Sequence, residues 1–421
     1  MSNFHYYHQE LYIEQVGLAK IAALWDTPTY VYSLSTLRAN YQAFSRTLKS
    51  QPHLICYAVK ASSNIGLLNF LAAQGCGFDI VSQGELHRVL AAGGDPKKIV
   101  FSGVGKSEQD IRLALSKGIL CFNVESKPEL QRIALIAKEL NLIAAISIRV
   151  NPNVDAQTHP YIATGLKTHK FGVEVDTALE LYQYASQLPH LMIKGIDCHI
   201  GSQITQLAPF LEALTQVLQL IDHLNQIGMT ISHLNLGGGL GVRYQNETPP
   251  SIEAYCNALL QKLAGRKLTL LLEPGRSLVA NTGILLTRLE YIKHGSEKNF
   301  AIVDAGMNDL LRPSLYDAWH NIYPVMQDPN LPEARYDVVG PVCESGDFFA
   351  HDRMLRVKAG DLLAIMDAGA YGFSMCSHYN SRPNPAEVAV LGEHMALIRE
   401  RESYADLFKH EHLLPSWPHG A

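Results

Sequence analysis

His53-Leu54-Ile55-Cys56-Tyr57-Ala58-Val59-Lys60 is an apolar run that stops at a lysine, and Leu268-Thr269-Leu270-Leu271-Leu272 is a second one that stops at Glu273-Pro274-Gly275-Arg276. Working outward from this pair, the apolar, β-branched runs number eight: 54–59, 78–81, 99–101, 121–124, 144–150, 193–200, 231–236 and 268–272. Segments of helical length rich in Leu, Ala, Glu and Gln separate them. Continuous rather than alternating apolar character predicts strands buried on both faces, as in a parallel sheet covered by helices. Eight βα units in about 220 to 250 residues are what a (β/α)8 TIM-type barrel needs. In that fold, loops at the C-terminal ends of the strands each aim side chains at a common centre. Lys60, His199, the glycines 237–239 and Glu273 all fall at such ends.

After about residue 280 the pattern changes to short segments with frequent Gly, Pro and Asp, such as 301–304, 337–339 and 362–366. They predict an antiparallel β-sandwich or barrel. The β-rich run 29–32 is expected to pair with that sheet. The expected division is therefore a (β/α)8 barrel over 34–280 and a discontinuous β domain from 1–33 and 281–421.

The chain has 421 residues, 47% hydrophobic and 18% charged, so a large core is available. A net charge of -5 without a Lys/Arg cluster excludes an electrostatic footprint for nucleic acid or an anionic membrane. The seven cysteines are scattered with no CxxC pair, which reads as reduced thiols in a cytoplasmic protein. No window approaches the roughly 18 unbroken apolar residues of a membrane span, and the first residues lack the pattern of a targeting signal.

A lysine and a carboxylate, each where a buried strand stops, point to pyridoxal phosphate. An aldehyde cofactor needs one amine to hold it as a Schiff base and one group opposite its ring nitrogen. A partly desolvated lysine is expected to have a lowered pKa, which supplies the neutral amine. Gly237-Gly238-Gly239 can bring backbone N–H groups close to a phosphate, and Gly275-Arg276 can form the other half of the cradle. Gly103-Val104-Gly105-Lys106-Ser107 ends like a nucleotide loop, but Val100 stands where the first glycine is required, so an ordinary βα connection is expected. His199 could lie flat on a cofactor ring with Ser202 at its phosphate. Asp197, Cys198 and His199 alternate in direction and make no metal site. His410-Glu411-His412 reads as a solvated tail.

Taken together, YAVKASSN (57–64), GFDIVSQGEL (77–86), FNVES (122–126), RVNPNVDAQTHPYIATGLKTHKFG (149–172), HIGSQI (199–204), LGGGLG (236–241), EPGRSLVANTG (273–283), VVGPVCESGDF (338–348) and DAGAYGFSMCSHYNSRP (367–383) resemble the diaminopimelate decarboxylase branch of the fold-type III, pyridoxal-phosphate-dependent decarboxylases. The resemblance spans nearly the whole chain. It implies that Lys60 binds the cofactor aldehyde, that His199 stacks on the ring and that Glu273 meets the pyridine nitrogen. It also implies that Ser202, Gly238, Gly239, Gly275, Arg276 and Tyr371 hold the phosphate region. Arg276, Arg312, Tyr316, Glu344 and Tyr371 are implied to contact substrate, with Cys343 as proton donor. The implied reaction is decarboxylation of meso-diaminopimelate to L-lysine, in a homodimer where the Cys343 segment reaches the partner's cofactor. A polyamine-branch decarboxylase acting on ornithine, arginine or carboxynorspermidine is the nearest rival, and a catalytically silent cofactor-binding homologue the next. Ser62 and Gln83 depart from the family's usual Asn and Gly, which bears on loop support near the cofactor.

Overall fold

The structure is a computed structural model that describes residues 3–155 and 170–415. Part of the resemblance, 156–169, lies outside the described residues. All eight predicted runs form strands: β1 (His53–Ala58), β2 (Gly77–Ile80), β3 (Ile99–Phe101), β4 (Cys121–Val124), β5 (Ala144–Arg149), β6 (Leu191–Asp197), β7 (His233–Asn235) and β8 (Thr269–Leu272). They close into one barrel in sequence order, every neighbour parallel, and β8 returns to β1 through Leu270↔His53 and Leu272↔Ile55.

Helices cover the outside, and several start on a capping side chain written in the sequence. Asn64, Ser82, Ser107, Ser126 and Ser251 each accept a backbone N–H of the following turn. Outward strand residues such as Tyr57, Phe78, Phe101 and Phe122 pack in one core with the helices. Inward positions behave differently. Cys56, Val100 and Leu271 form a small separate cluster with Leu54 and Leu120, plugging one end of the bore. Towards the C-terminal end the other five strands turn polar residues inward: Asp79 on β2, Asn123 on β4, Ser147 on β5, Asp197 on β6 and Asn235 on β7, all buried. The strands are thus apolar on both faces at one end only, and the other end is built to hold charge.

The second sheet takes up segments from both ends of the chain. Thr29–Ser33 lies between Gly283–His294, antiparallel, and Ala386–Leu391, parallel. Its alternation explains the placement: Tyr30 and Tyr32 join the core shared with the barrel, while Val31 joins a second core with Leu11, Ile13, Ile284 and Val388. The sheet is mostly antiparallel, but Asn299–Val303 also pairs parallel with Ala334–Val339, so it is mixed.

The 103–107 loop is structural, as its sequence predicts. Lys106 is buried, with Nζ 2.7 Å from Glu129 Oε1 and donating to the carbonyls of Gly103 (2.8 Å) and Asn123 (2.7 Å). Burial raises the pKa of Glu129, and Lys106 opposes that rise. Removing one partner of a buried ion pair leaves the other charge uncompensated. Lys106→Ala is therefore expected to lower unfolding free energy by about 3–5 kcal/mol in a denaturant titration.

Candidate active site

The site lies at the polar end of the bore, where the strands run out into loops. Val59 leaves β1, and Lys60 sits in the short turn Val59–Ala61. Its Nζ lies 2.7 Å from Asp79 Oδ2 at the end of β2, with the lysine side chain 39% exposed and Asp79 buried. Burial lowers the lysine pKa, but Asp79, Tyr371 and Glu273 together outweigh it, so the pKa is raised. This corrects the expectation of a lowered pKa: a carboxylate on the next strand overrides desolvation. Asp79 Oδ1 is buried without a hydrogen-bond partner among the described residues.

Glu273 follows β8 and is buried. Asn235 and Asn123 both donate to its Oε1, at 2.5 and 3.3 Å. Burial, then the nearby Asp79 and Asp197, push its pKa well up, against the opposing pull of Lys60. Asp197 is pushed up to about 7, by burial first, and Arg149 counters this from 3.8 Å.

His199 lies just beyond β6, which ends at Asp197 rather than running to residue 200. The glycine loop passes very close to the chain here. A Cβ on Gly237 would lie 2.6 Å from His199 Nδ1, and one on Gly239 would collide with the Gly201 carbonyl oxygen. His199 Nδ1 accepts the Gly238 N–H at 3.2 Å, which assigns the ring proton to Nε2. Burial, Arg149 and Lys60 drive the imidazole pKa well down, so the ring is neutral.

Arg276 opens the short helix after Gly275, whose own Cβ would stand 3.0 Å from that of Ala61. The buried guanidinium donates to Ser202 Oγ (3.1 and 3.3 Å) and to Tyr244 Oη (2.8 Å) and lies 4.9 Å from the Tyr371 ring centre. Tyr371, at φ +56°, donates its N–H to Ala61 O at 2.8 Å, tying the second sheet to the Lys60 turn. Arg312 stacks 4.4 Å from the Tyr244 ring centre and meets His320 Nε2 at 2.9 Å. It is buried and forms no ion pair with a described residue, and burial together with Arg276 lowers its pKa although Tyr244 opposes them. Tyr316 ends the same helical turn, Arg312–Tyr316, and acts electrostatically on both arginines.

Cys343 and Glu344 are placed apart from this cluster. Both are exposed, and their hydrogen bonds run to neighbouring loops: Cys343 N–H to Asn380 Oδ1 (2.7 Å) and Tyr379 Oη to Glu344 Oε2 (2.9 Å). Neither bonds to a described residue of the barrel mouth. The residues that sequence reasoning missed are Asp79, Asn123, Asn235 and Tyr244. A polar residue inside an apolar run, as in GFDI or CFNV, was the available signal for the first three. Of the two unusual positions, Ser62 is buried with its carbonyl bonded by Tyr57 Oη, and the Gln83 N–H bonds Asp110.

A barrel mouth with a lysine, a buried carboxyl facing the bore, a neutral imidazole and a glycine–arginine cradle defines a pyridoxal-dependent enzyme. Residues 34–280 match the model of the pyridoxal-dependent decarboxylase pyridoxal-binding domain, and the chain belongs to that family. Pyridoxal phosphate is the family's cofactor, and glycine loops packed too tightly for any Cβ, a buried guanidinium with Ser202 beside them and a lysine next to a buried carboxylate fit it.

The branch is that of the diaminopimelate decarboxylases. The chain is 56% identical to the diaminopimelate decarboxylase of Pseudomonas aeruginosa, over 99% of this chain and 100% of that one. The diaminopimelate decarboxylase of Helicobacter pylori, solved with L-lysine, is 44% identical with a TM-score of 0.91, covering 94% of this chain and 99% of that one. The enzyme of M. jannaschii, also solved with L-lysine, is 37% identical with a TM-score of 0.93, covering 98% of each.

Proposed function

We propose that this protein decarboxylates meso-diaminopimelate to L-lysine and carbon dioxide, with Lys60, His199 and Cys343 as its catalytic residues. The observation that carries the reading is the buried Arg312, a guanidinium that forms no ion pair with a described residue although Asp367 lies near enough to feel its charge, set beside Arg276 at the mouth that holds Lys60 and Glu273. Diaminopimelate has a distal carboxylate to meet it, and ornithine and arginine do not. A site built for that group discriminates strongly against analogues lacking it.

When bound, pyridoxal phosphate supplies an aldehyde for the substrate amine and a ring that accepts the electron pair left by the departing carboxylate. Lys60 must give up a proton before its Nζ can act as an amine, and Asp79, 2.7 Å away, is placed to hold that nitrogen meanwhile. Both amides on Glu273 donate to Oε1, so a proton carried by Glu273 resides on Oε2. His199 presents a neutral ring whose orientation is fixed by Gly238. Ser202, Gly238, Gly239, Gly275, Arg276 and Tyr371 form the phosphate end, and Arg276, Arg312, Tyr316, Glu344 and Tyr371 the substrate end. Cys343 returns a proton to the α-carbon.

Because Cys343 and Glu344 bond only to loops away from their own barrel mouth, a homodimer in which each serves the partner's site belongs to this proposal. So does the division into a barrel at 34–280 and a second unit of 1–33 with 281–421. A cytoplasmic location fits seven cysteines that form no disulfide. No helix among the described residues is long and apolar enough to cross a membrane.

The test offers the holoenzyme diaminopimelate, ornithine, arginine and carboxynorspermidine and measures carbon dioxide and amine products. Turnover of diaminopimelate alone is expected; turnover of a polyamine precursor instead would move the enzyme to the rival branch. A related expectation concerns Gly238, where a Cβ would collide with the Glu273 carbonyl oxygen. Gly238→Ala must shift both loops, and a cofactor dissociation constant weaker by about tenfold or more is expected by absorbance titration.

A further inference from the structure

A cavity of about 530 Å³ lies in the second sheet region, away from the barrel mouth. Thr27, Asp304, Arg382, Arg401 and Tyr404 line it, and so do Pro341 and Asn380. Its volume falls in the range of small-molecule sites and far exceeds one phosphate ion.

The charges are set unevenly. Asp304 accepts from Thr27 Oγ1 (2.5 Å), Thr287 Oγ1 (2.5 Å) and the Arg288 N–H (2.9 Å), and the other carboxylate of the lining, Glu290, is exposed. Arg401 spends Nη2 on Trp25 O and Thr29 Oγ1, and Arg382 spends Nε on Asn308 Oδ1 and Nη2 on Asp304 O. Neither arginine forms an ion pair with a described residue, although Asp26, Asp304 and Asp309 lie close enough to act on Arg401. Each guanidinium therefore keeps N–H donors for another acceptor, and a planar fork suits a carboxylate.

The wall of the cavity is also the support of the Cys343 loop. Asn380 and Ser381 both hold positive φ (+56° and +53°), a conformation fixed by their surroundings. From this segment Asn380 Oδ1 accepts the Cys343 N–H and Tyr379 bonds Glu344, while Pro341 lies on the same loop as Cys343.

We propose that this cavity is a second ligand site, which takes a small polycarboxylate through Arg382 and Arg401 and sets the position of the Cys343 loop through Asn380. The regulatory half rests on the reading of Cys343 as proton donor; the binding half does not.

The experiment titrates citrate into the holoenzyme by calorimetry and, in parallel, measures the alkylation rate of Cys343, the only exposed cysteine of the seven. Saturable binding is expected, with a change of about threefold or more in that rate. Both effects should vanish in Arg401→Gln and in Ser381→Asp, whose exposed position imposes no folding burden, weaken in Arg401→Lys, which keeps the charge without the planar fork, and persist in Arg312→Met. Absence of binding, or binding lost only in Arg312→Met, overturns the site. Binding that leaves the Cys343 rate unchanged overturns the coupling. Full turnover by Cys343→Ala would instead sink the role of Cys343 while leaving citrate binding to stand.

Discussion

Lys60→Ala is expected to abolish decarboxylation, lowering turnover by on the order of 10⁴-fold or more, because it removes the amine on which cofactor attachment depends. The same truncation strips Asp79 of its partner at Oδ2, when Oδ1 has none already, so a drop in stability could imitate a catalytic effect. Lys60→Arg separates the two. An arginine can still pair with Asp79 but stays protonated and offers no amine nucleophile. Equal inactivity in both variants, with the arginine variant melting near the wild-type temperature, is the expected result. Activity retained in Lys60→Arg would mean that the lysine acts only through its charge.

Cys343→Ala is expected to lower turnover by about 10² to 10⁴-fold, the usual worth of a positioned proton donor. Its more telling consequence appears on mixing. If Cys343 serves the partner's site, a mixed dimer of Lys60→Ala and Cys343→Ala chains carries one site with both defects and one with neither. Random exchange makes about half of the dimers mixed, so about a quarter of wild-type activity should return. If each chain completed its own site, every site would keep one defect and nothing would return. The exposure of Cys343 and its bonding to the 380 loop favour the first outcome.

Much of the barrel was legible because its strands are short apolar runs at regular spacing. Ile99–Phe101 and Cys121–Val124 fall on their predicted bounds. The sixth strand did not: an apolar count extends it to residue 200, while it ends at Asp197 and the residues beyond pack against the glycine loop at 237–239. The site was legible in its reactive ends, Lys60, His199 and Glu273, since a strand end is visible in one dimension. Asp79, Asn123 and Asn235 were not, because what makes them important is that three separate strands aim their inward positions at one bore. The error over Lys60 has the same origin. Its pKa depends on a carboxylate 19 residues away that only the closed barrel brings to 2.7 Å.

The most direct test of the central claim is borohydride reduction of the holoenzyme followed by peptide mass mapping, with and without prior saturation by meso-diaminopimelate. The account predicts a pyridoxyl group on Lys60 and on no other lysine, and its loss from Lys60 when the substrate is present. A label on a different lysine, or a Lys60 label indifferent to diaminopimelate, would contradict it.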